Sequence, residues 1–291
     1  MNKFVGKITV AEALIWVILA LVLCFTVLPI LFMLVASVMD AKQILAMPFR
    51  WIPSREYFTT SDRTWLTNFH KAIFGNNNNP VFLRNIANSL IVASTVAVTT
   101  VILSALCGYG LAKFNFRGKN AIFMSIMATM MIPFEAIMIP LYIVTANLHM
   151  MNSYRGLIVP FLVTAFGVFQ MRQYLLTFPA EFIDAARVDG LGEFRIFLSI
   201  VFPNCLPVIS TLAILSFRNQ WDNLLWPLLV SQSETMKTIP LYLSKFAEEK
   251  QTDEGAMMAC ALIASIPMFI LFGALSKYFL GGAAVFESRK G

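Results

Sequence analysis

The sequence predicts an all-α polytopic membrane protein with six transmembrane helices. Of its 291 residues, 58% are hydrophobic and only 13% are charged, and the mean hydropathy is +0.72. Soluble domains usually contain about 25% charged residues. The apolar residues form runs long enough to cross a bilayer core of about 30 Å, which takes about 20 helical residues. Because a spanning segment must satisfy its backbone hydrogen bonds internally, each run is predicted to be a helix.

Six such runs are separated by stretches in which charged residues, asparagine or proline return. The first run, residues 13–38, follows Lys3 and Lys7. It is longer than the apolar core of about 7–15 residues found in signal peptides, so we predict a retained membrane anchor. All runs belong to one predicted transmembrane domain, residues 1–291. The predicted spans are residues 13–38, 86–111, 121–144, 156–176, 204–229 and 256–280.

The distribution of lysine and arginine predicts the orientation of the chain. Six spans place both termini on one side, and the short segments of that side are rich in positive charge, as at Lys113 and Arg172. Cytoplasmic segments of membrane proteins show this excess, so both termini are predicted to be cytoplasmic. The net charge of +6 is explained by this bias and by contact with anionic membrane lipid, so nucleic acid is not an expected partner.

Searches for catalytic, nucleotide and metal sites are negative. Residues 117–120, RGKN, lack the upstream glycine and the following Ser or Thr of a phosphate-binding loop. His70 and His149 have no partner at metal-ligand spacing, and the four cysteines occur singly. We therefore expect no catalytic residue, cofactor or metal in this chain, and the sequence gives little support for an enzyme.

Ionisable residues within the predicted spans need an explanation, since a charge at mid-bilayer costs about 2.5–3.5 kcal/mol on insertion scales. Arg218 and Asp222 are four residues apart and so share one helix face, where they can pair. One interpretation is a self-neutralised pair that helps the helix insert. The other is a water-filled solute path lined by the polar stretch to which the pair belongs: Arg218, Asn219, Gln220, Trp221, Asp222 and Asn223.

Glu135 is the third ionisable residue in a predicted span. It lies between Pro133 and Pro140, and this pattern predicts an irregular helix with freed backbone groups. Glu135 is therefore a candidate either for a structural role or for solute contact.

Residues 177–203 form a short polar segment between two apolar spans. Ala185 and Ala186 favour a helix over residues 181–189, which Gly190 is expected to end. Phe194, Phe197, Leu198 and Val201 then mark one face of a second helix. Acidic residues outnumber arginines in this segment, whereas helices that lie on lipid are usually basic. The segment is therefore predicted to dock into a protein.

This segment resembles the EAA loop of ATP-binding-cassette importer permeases. The family pattern is approximately Glu-Ala-Ala, then Asp-Gly, then Phe, Ile and Pro at set distances. Asp184 replaces the usual glutamate, which keeps the charge and shortens the side chain by one methylene. The matching residues are Asp184, Ala185, Ala186, Asp189, Gly190, Phe197, Ile200 and Pro203.

Further segments resemble the carbohydrate-uptake branch of this family, the maltose-importer type. Asp222 stands where asparagine is usual, and Arg218 is not part of the pattern. The similar segments are NSL at 88–90, GYGLAKFNFRGKN at 108–120, MIP at 131–133, PLY at 140–142 and WDNLLWPLL at 221–229.

The resemblance implies a type I importer permease fold in a bacterial or archaeal cytoplasmic membrane. Residues 177–203 would be a cytoplasmic coupling loop seated on an ATPase dimer, which binds the ATP. A second homologous permease, an extracytoplasmic solute-binding protein and a sugar or oligosaccharide substrate are the other implied partners, and the tail 281–291 would reach the ATPase interface. The implied ATPase-coupling residues are Glu181, Asp184, Ala185, Ala186, Asp189, Gly190, Phe197 and Pro203.

Two alternatives remain open from the sequence. The same machinery could import another polar solute, such as glycerol phosphate, a polyamine or an acidic saccharide. Arg218 favours an anion, Asp222 opposes one, and their pairing cancels most of either preference. Alternatively, the chain could be a self-sufficient channel or secondary transporter that uses Glu135, Arg218 and Asp222 as an ion relay, although the EAA pattern argues against this.

Overall fold

The computed structural model describes residues 9–53, 66–75, 80–248 and 253–287, and the ordered elements in these ranges are all helices, as predicted. Asp40 accepts a hydrogen bond at the start of one short helix, and Ser153 does so at another. The helices are α1 Val10–Ala36, α2 Ala41–Ile44, α3 Thr67–Phe74, α4 Val81–Lys113, α5 Lys119–Thr129, α6 Phe134–Asn147, α7 Tyr154–Ile158 with a 3-10 turn Val159–Phe161, α8 Ala165–Thr177, α9 Glu181–Val188, α10 Glu193–Ile196 with a π-helical turn Phe197–Val201, α11 Phe202–Asn204, α12 Leu206–Trp221, α13 Leu225–Val230, α14 Ile239–Glu248 and α15 Glu254–Glu287.

By length and apolar composition, three helical stretches are each able to cross a membrane alone. They are α1, α4 and the part of α15 from Glu254 to Tyr278. Three further pairs of helices meet the same test only together, because each pair is bent at a short break. Counting each bent pair as one span gives six, which is the number that the sequence predicts. The predicted cytoplasmic position of both termini falls on residues 1–8 and 288–291, outside the described residues, and stays a prediction.

The predicted span 121–144 is not one helix. It consists of α5 and α6, which meet at 98°. The break falls immediately before Pro133, the N-cap of α6, whereas Pro140 lies inside that helix without ending it. Pro133 restricts the conformation of the residue before it and has no N–H to continue the preceding helix. The predicted span 156–176 is likewise bent, by 41°, between the 3-10 turn and α8.

The predicted span 204–229 is also interrupted. Helix α12 ends at Trp221, and α13 begins at Leu225 after a three-residue break. Pro227 explains the position of the break, because the ring of a helical proline collides with the carbonyl four residues earlier, here Asn223. In addition, α12 meets the helical stretch Glu193–Asn204 at 80°.

Segments predicted as connecting loops contain helices. Helices α2 and α3 lie within residues 39–85, and α4 starts at Val81 rather than at residue 86. Residues 230–255 contain α14, in which Ile239 and Leu241 are buried. Burial of Ile239 and Leu241 stabilises a helix that the polar composition of residues 230–255 did not indicate.

The described residues fall into two compact units, and the single transmembrane domain stays a prediction. One lies within Met1–Pro80 and Lys245–Ile263, and the other within Val81–Ser244 and Ala264–Gly291. In the first unit, the buried amide of Asn68 donates to the carbonyls of Ser37 and Met39 at 2.9 and 2.7 Å. Lys71 forms an ion pair with Asp253 at 2.7 Å. These bonds fix α3 against the end of α1 and the start of α15.

In the second unit, α4 packs along α8 and α12. The contact with α8 is closest at Gly108, where an added Cβ would lie 2.8 Å from Met171 Cβ and 2.9 Å from the backbone nitrogen of Arg172. Ala105, Met171 and Leu212 are almost fully buried in the surrounding core. A small residue at position 108 therefore lets two helices approach at backbone distance, as is common between membrane helices.

We predict that Gly108→Ala destabilises the protein, because the new methyl group overlaps backbone and Cβ atoms of α8. Over-packing of this kind costs about 1–3 kcal/mol. Gly110→Ala is the matched control on the same helix, since its added Cβ meets nothing within 4 Å. The midpoint of thermal unfolding in detergent, followed by size-exclusion chromatography, measures the difference. Equal midpoints for the two variants would contradict the close helix contact.

Candidate functional site

The segment predicted to dock into a protein folds as a helix, a glycine turn and a second helix. Helix α9 ends at Val188, and Gly190 takes the left-handed conformation with φ +80°. The N–H of Gly190 donates to the carbonyl of Arg187, and the N–H of Leu191 donates to that of Ala186, both at 3.0 Å. This pair of bonds is the Schellman motif, which usually places glycine at the left-handed position.

One face of α9 is anchored in the core of the second unit. Ile183 and Ala186 are 2% and 4% exposed and pack in the same cluster as Phe197 and Leu175. Phe197 also contacts the ring of Tyr109 from α4, with centroids 5.4 Å apart. The start of α10 and the π-helical turn are thereby attached to the long helix α4.

An ion-pair network spans the glycine turn. Arg187 donates to Asp184 at 2.9 Å and to Glu193 at 2.6 Å, which joins α9 to α10. The hydroxyl of Tyr109 donates to the second carboxylate oxygen of Glu193 at 3.0 Å. The hydrogen bond from Arg187 lowers the pKa of Glu193, and the hydrogen bond from Tyr109 lowers it further. Glu193 is therefore ionised at neutral pH.

Sequence reasoning assigned no role to Arg187, Glu193 or Tyr109. The signal available was the pair of opposite charges on either side of Gly190, six residues apart. Tyr109 gave no such signal, since it lies 84 positions before Glu193.

The other face of the segment is exposed. Val188, Phe194 and Phe182 are 88%, 67% and 53% exposed. The predicted coupling residues therefore divide into an anchored set and an exposed set. The anchored residues are Ala186 and Phe197, and the exposed residues are Glu181, Asp184, Ala185, Asp189, Gly190 and Pro203.

A second site is a partly open cleft of ≈ 640 Å³ in the same unit. Side chains from α4, α6, α8 and α12 meet there, together with residues of the backbone breaks before α8 and after α12. The predicted residues that line it are Glu135, Asn219, Gln220, Asp222 and Asn223. Residues that the sequence did not single out also line it, among them Thr100, Thr164, Ser216, Phe134, Phe161 and Phe166.

Trp221 was predicted to line the solute path, but it lies in the core. It is 5% exposed, its ring stacks on Phe217 with centroids 5.4 Å apart, and its Nε1 donates to the carbonyl of Ala264 at 3.1 Å. A residue next to Gln220 on a helix points about 100° away from it, so one side chain faces the cleft and the other the core. Trp221 therefore does not line this cleft, and its place on a solute path stays a prediction.

Arg218 and Asp222 form the expected pair, with Nε and Oδ2 3.4 Å apart. Asp222 lines the cleft, whereas Arg218 does not, and the place of Arg218 on a solute path stays a prediction. Both side chains are more than half exposed, and pairs of this kind contribute about 0–1 kcal/mol. Asp222 is the C-cap of α12 rather than a residue of a continuous helix.

Glu135 and Asn223 both have local roles in addition to lining the cleft. Glu135 lies in the first turn of α6, where a carboxylate interacts favourably with the helix dipole. The side-chain oxygen of Asn223 accepts a hydrogen bond from the backbone N–H of Trp226 at 3.3 Å, which caps α13. Among the described residues, no group of three or more His, Cys, Asp or Glu side chains could hold a metal ion.

Comparison with known proteins gives consistent results. Residues 100–281 match the family model described as "Binding-protein-dependent transport system inner membrane component". The arabinooligosaccharides transport system permease protein AraQ of Bacillus subtilis (strain 168) is 37% identical over 209 residues, which cover 72% of this chain and 74% of that protein. The lactose transport system permease protein LacG of Rhizobium radiobacter is 34% identical over 67% of this chain and 71% of its own length.

Two further similarities extend over almost the whole chain. The sn-glycerol-3-phosphate transport system permease protein UgpE of Brucella abortus (strain 2308) is 31% identical over 91% of this chain and 93% of that protein. A chain of a bacterial ABC transporter that imports the acidic polysaccharide alginate has the same fold, with a TM-score of 0.77 and 20% identity over 96% of this chain and all of that one. The chain belongs to the family of inner membrane components of binding-protein-dependent transport systems.

Proposed function

We propose that this permease forms half of the translocation path of an ATP-driven importer for a neutral sugar or oligosaccharide. The observation that carries the proposal is the cleft, in which amides, hydroxyls and two carboxylates face three phenylalanine rings. Sugar hydroxyls both donate and accept hydrogen bonds, and amides do the same. Ligand sites typically combine apolar and aromatic walls with a few placed polar groups, and this cleft has that composition.

The charge of the cleft bears on the class of solute. Of the described residues that line it, Glu135 and Asp222 are acidic and none is basic. A phosphate or uronate would meet two carboxylates, of which Asp222 is paired with Arg218, so the charge of Glu135 disfavours glycerol phosphate and acidic saccharides as substrates. A polyamine is the second candidate, since two carboxylates attract a cation. The hydroxyl and amide groups, together with the relatives named for arabinooligosaccharides and lactose, favour the neutral sugar.

The exposed side of α9 and α10 supports docking to an ATPase. Three apolar side chains, Phe182 and Val188 of α9 and Phe194 of α10, are more than half exposed close to carboxylates. Exposed apolar residues surrounded by polar ones mark protein interaction sites. In this proposal, the ATP is bound by an ATPase dimer, a second homologous permease completes the path, and a solute-binding protein delivers the solute. The predicted contact of the tail 281–291 with the ATPase stays a prediction.

A self-sufficient transporter is the less favoured alternative. It would need Glu135, Arg218 and Asp222 in one relay, yet Arg218 lies outside the cleft that the two acids line. Membership of a binding-protein-dependent family also argues for a multi-subunit machine. Purification separates the alternatives, since a complete transporter would move solute in liposomes without any ATPase.

Gly190→Val is predicted to uncouple transport. A left-handed conformation costs a residue with a β-carbon about 1–2 kcal/mol, equivalent to about a five- to thirtyfold change in the population of the native loop. We expect co-purification of the ATPase and solute-dependent ATP turnover to fall together. Gly192→Ala is the control, because Gly192 has φ −72° and an added Cβ there meets nothing within 4 Å. Normal attachment and turnover in Gly190→Val would argue against a coupling role for α9.

Asn219→Ala and Gln220→Ala are predicted to reduce uptake about fivefold each, since each removes a hydrogen bond of about 1 kcal/mol to the solute. Asn223 is unsuitable for this test because it also caps α13. Asn147→Ala, at the exposed end of α6 away from the cleft, is the control. Uptake of the cognate sugar is measured in liposomes that contain the assembled importer. Unchanged uptake in both cleft variants would remove α12 from the solute path.

Removing the two cleft carboxylates is predicted to relax the discrimination against anions. In the double variant Glu135→Gln and Asp222→Asn, we expect the ratio of anionic to neutral solute transported to rise at least about fivefold, because about 1 kcal/mol of repulsion per charge is lost. Glu234→Gln, which neutralises an acid outside the cleft, should leave the ratio unchanged. An unaltered ratio in the double variant would show that the cleft charges do not select the solute.

A further inference from the structure

A second pocket, of ≈ 400 Å³, lies where α5 begins and α8 passes beside it. We refer to it as the cationic pocket, because Lys119 and Arg172 both line it and, among the described residues, no acidic side chain does. Its remaining lining consists of Asn115, Phe116, Gly118, Asn120 and Ala121. We refer to residues 177–203 as the coupling segment. The cationic pocket shares no residue with the cleft or with the coupling segment, so neither site explains the two charges.

Both cations are held in place by neutral groups. The ammonium of Lys119 donates to the carbonyls of Phe114 and Ala112 at 2.8 and 3.3 Å. The guanidinium of Arg172 lies 4.0 Å from the ring centroid of Phe123, and its Nε donates to the carbonyl of Leu111 at 3.3 Å. Among the described residues, no carboxylate forms an ion pair with either side chain.

Each cation retains donors that these contacts do not use. An ammonium has three N–H groups and Lys119 uses two, while a guanidinium has five and Arg172 uses one at Nε. A purely structural alternative is that Lys119 only donates hydrogen bonds to backbone carbonyl groups at the end of α4. That role requires a hydrogen-bond donor but no charge, and it gives no reason for Arg172 to be fixed beside the same pocket.

The position of the cationic pocket indicates which anions it can meet. Lys113, at the end of α4, donates to the carbonyl of Phe178 at 2.5 Å, and Tyr109 of α4 bonds to Glu193. The pocket is therefore at the end of α4 that contacts the coupling segment, which is the predicted cytoplasmic side. The cytoplasmic leaflet is rich in anionic lipid, and basic pockets between helices on this side can bind lipid headgroups.

We propose that the cationic pocket binds a phosphate group between Lys119 and Arg172. Arginine offers paired N–H groups that match phosphate oxygens, and lysine adds a point charge. Asn115 and Asn120 bring further amide donors to the same pocket. The phosphate belongs either to the headgroup of an anionic phospholipid or to a soluble phosphate compound. In both cases its binding would connect the start of α5 with α8 close to the coupling segment.

The test uses the full-length chain reconstituted in nanodiscs of equal parts phosphatidylglycerol and phosphatidylcholine. Native mass spectrometry after detergent release measures the lipid retained per chain. We expect phosphatidylglycerol to be retained preferentially and Lys119→Gln and Arg172→Gln each to lower its retention about tenfold, since each loses a charge-assisted bond. Glutamine keeps a donor for the backbone carbonyls, so the fold is preserved, and Arg172→Lys, which keeps the charge, should retain the lipid.

Arg117→Gln is the matched control, because Arg117 is exposed in the same segment but does not line the pocket. A parallel titration with inorganic phosphate identifies the source. If the lipid is displaced only at phosphate concentrations far above those in the cell, the site is assigned to lipid. If the chain binds phosphate tightly but retains no lipid, the site is assigned to a soluble phosphate compound. Equal losses in all three glutamine variants, or no loss of either lipid retention or phosphate binding in any of them, would overturn the proposal.

Discussion

The close contact of α4 with α8 is the interaction on which the rest of the second unit depends. Gly108 leaves no space for a side chain between the two helices, so their relative position is fixed by backbone atoms rather than by adaptable side chains. From this fixed helix, Thr100 lines the cleft and Tyr109 holds the coupling segment. The cleft and the segment of residues 177–203 are therefore both attached to α4, so the proposed solute site and the proposed coupling site share one helix.

The backbone breaks explain where the cleft forms. Glu135 follows the break between α5 and α6, Thr164 lies in the break before α8, and Asp222 lies in the break after α12, and all three residues line the cleft. Irregular backbone at membrane depth is tolerated only where protein or water satisfies its polar groups. The freed N–H and carbonyl groups thus require a polar environment, and the polar side chains gathered beside them form the proposed site for a hydroxylated solute.

The coupling segment is rigid on one side and exposed on the other. The Schellman turn at Gly190 sets the direction of the chain, and Arg187 then joins α9 to α10 through Asp184 and Glu193. Burial of Ile183 and Ala186 fixes the same helix to the core. These contacts support the proposed coupling role, since rigid-body displacement of a well-anchored segment is one of the known ways of coupling distant sites.

The sequence by itself determined the all-α membrane class, the number of spans, the glycine turn and most of the polar residues of the cleft. These features follow from local properties: run length, residue propensity and helical periodicity. Tertiary structure alone decided that Trp221 faces the core, that Arg218 lies outside the cleft, and that Tyr109 reaches Glu193 across 84 positions. The reason is that neighbouring residues on a helix point in different directions, so only the packing of other helices determines which direction is the cleft and which is the core.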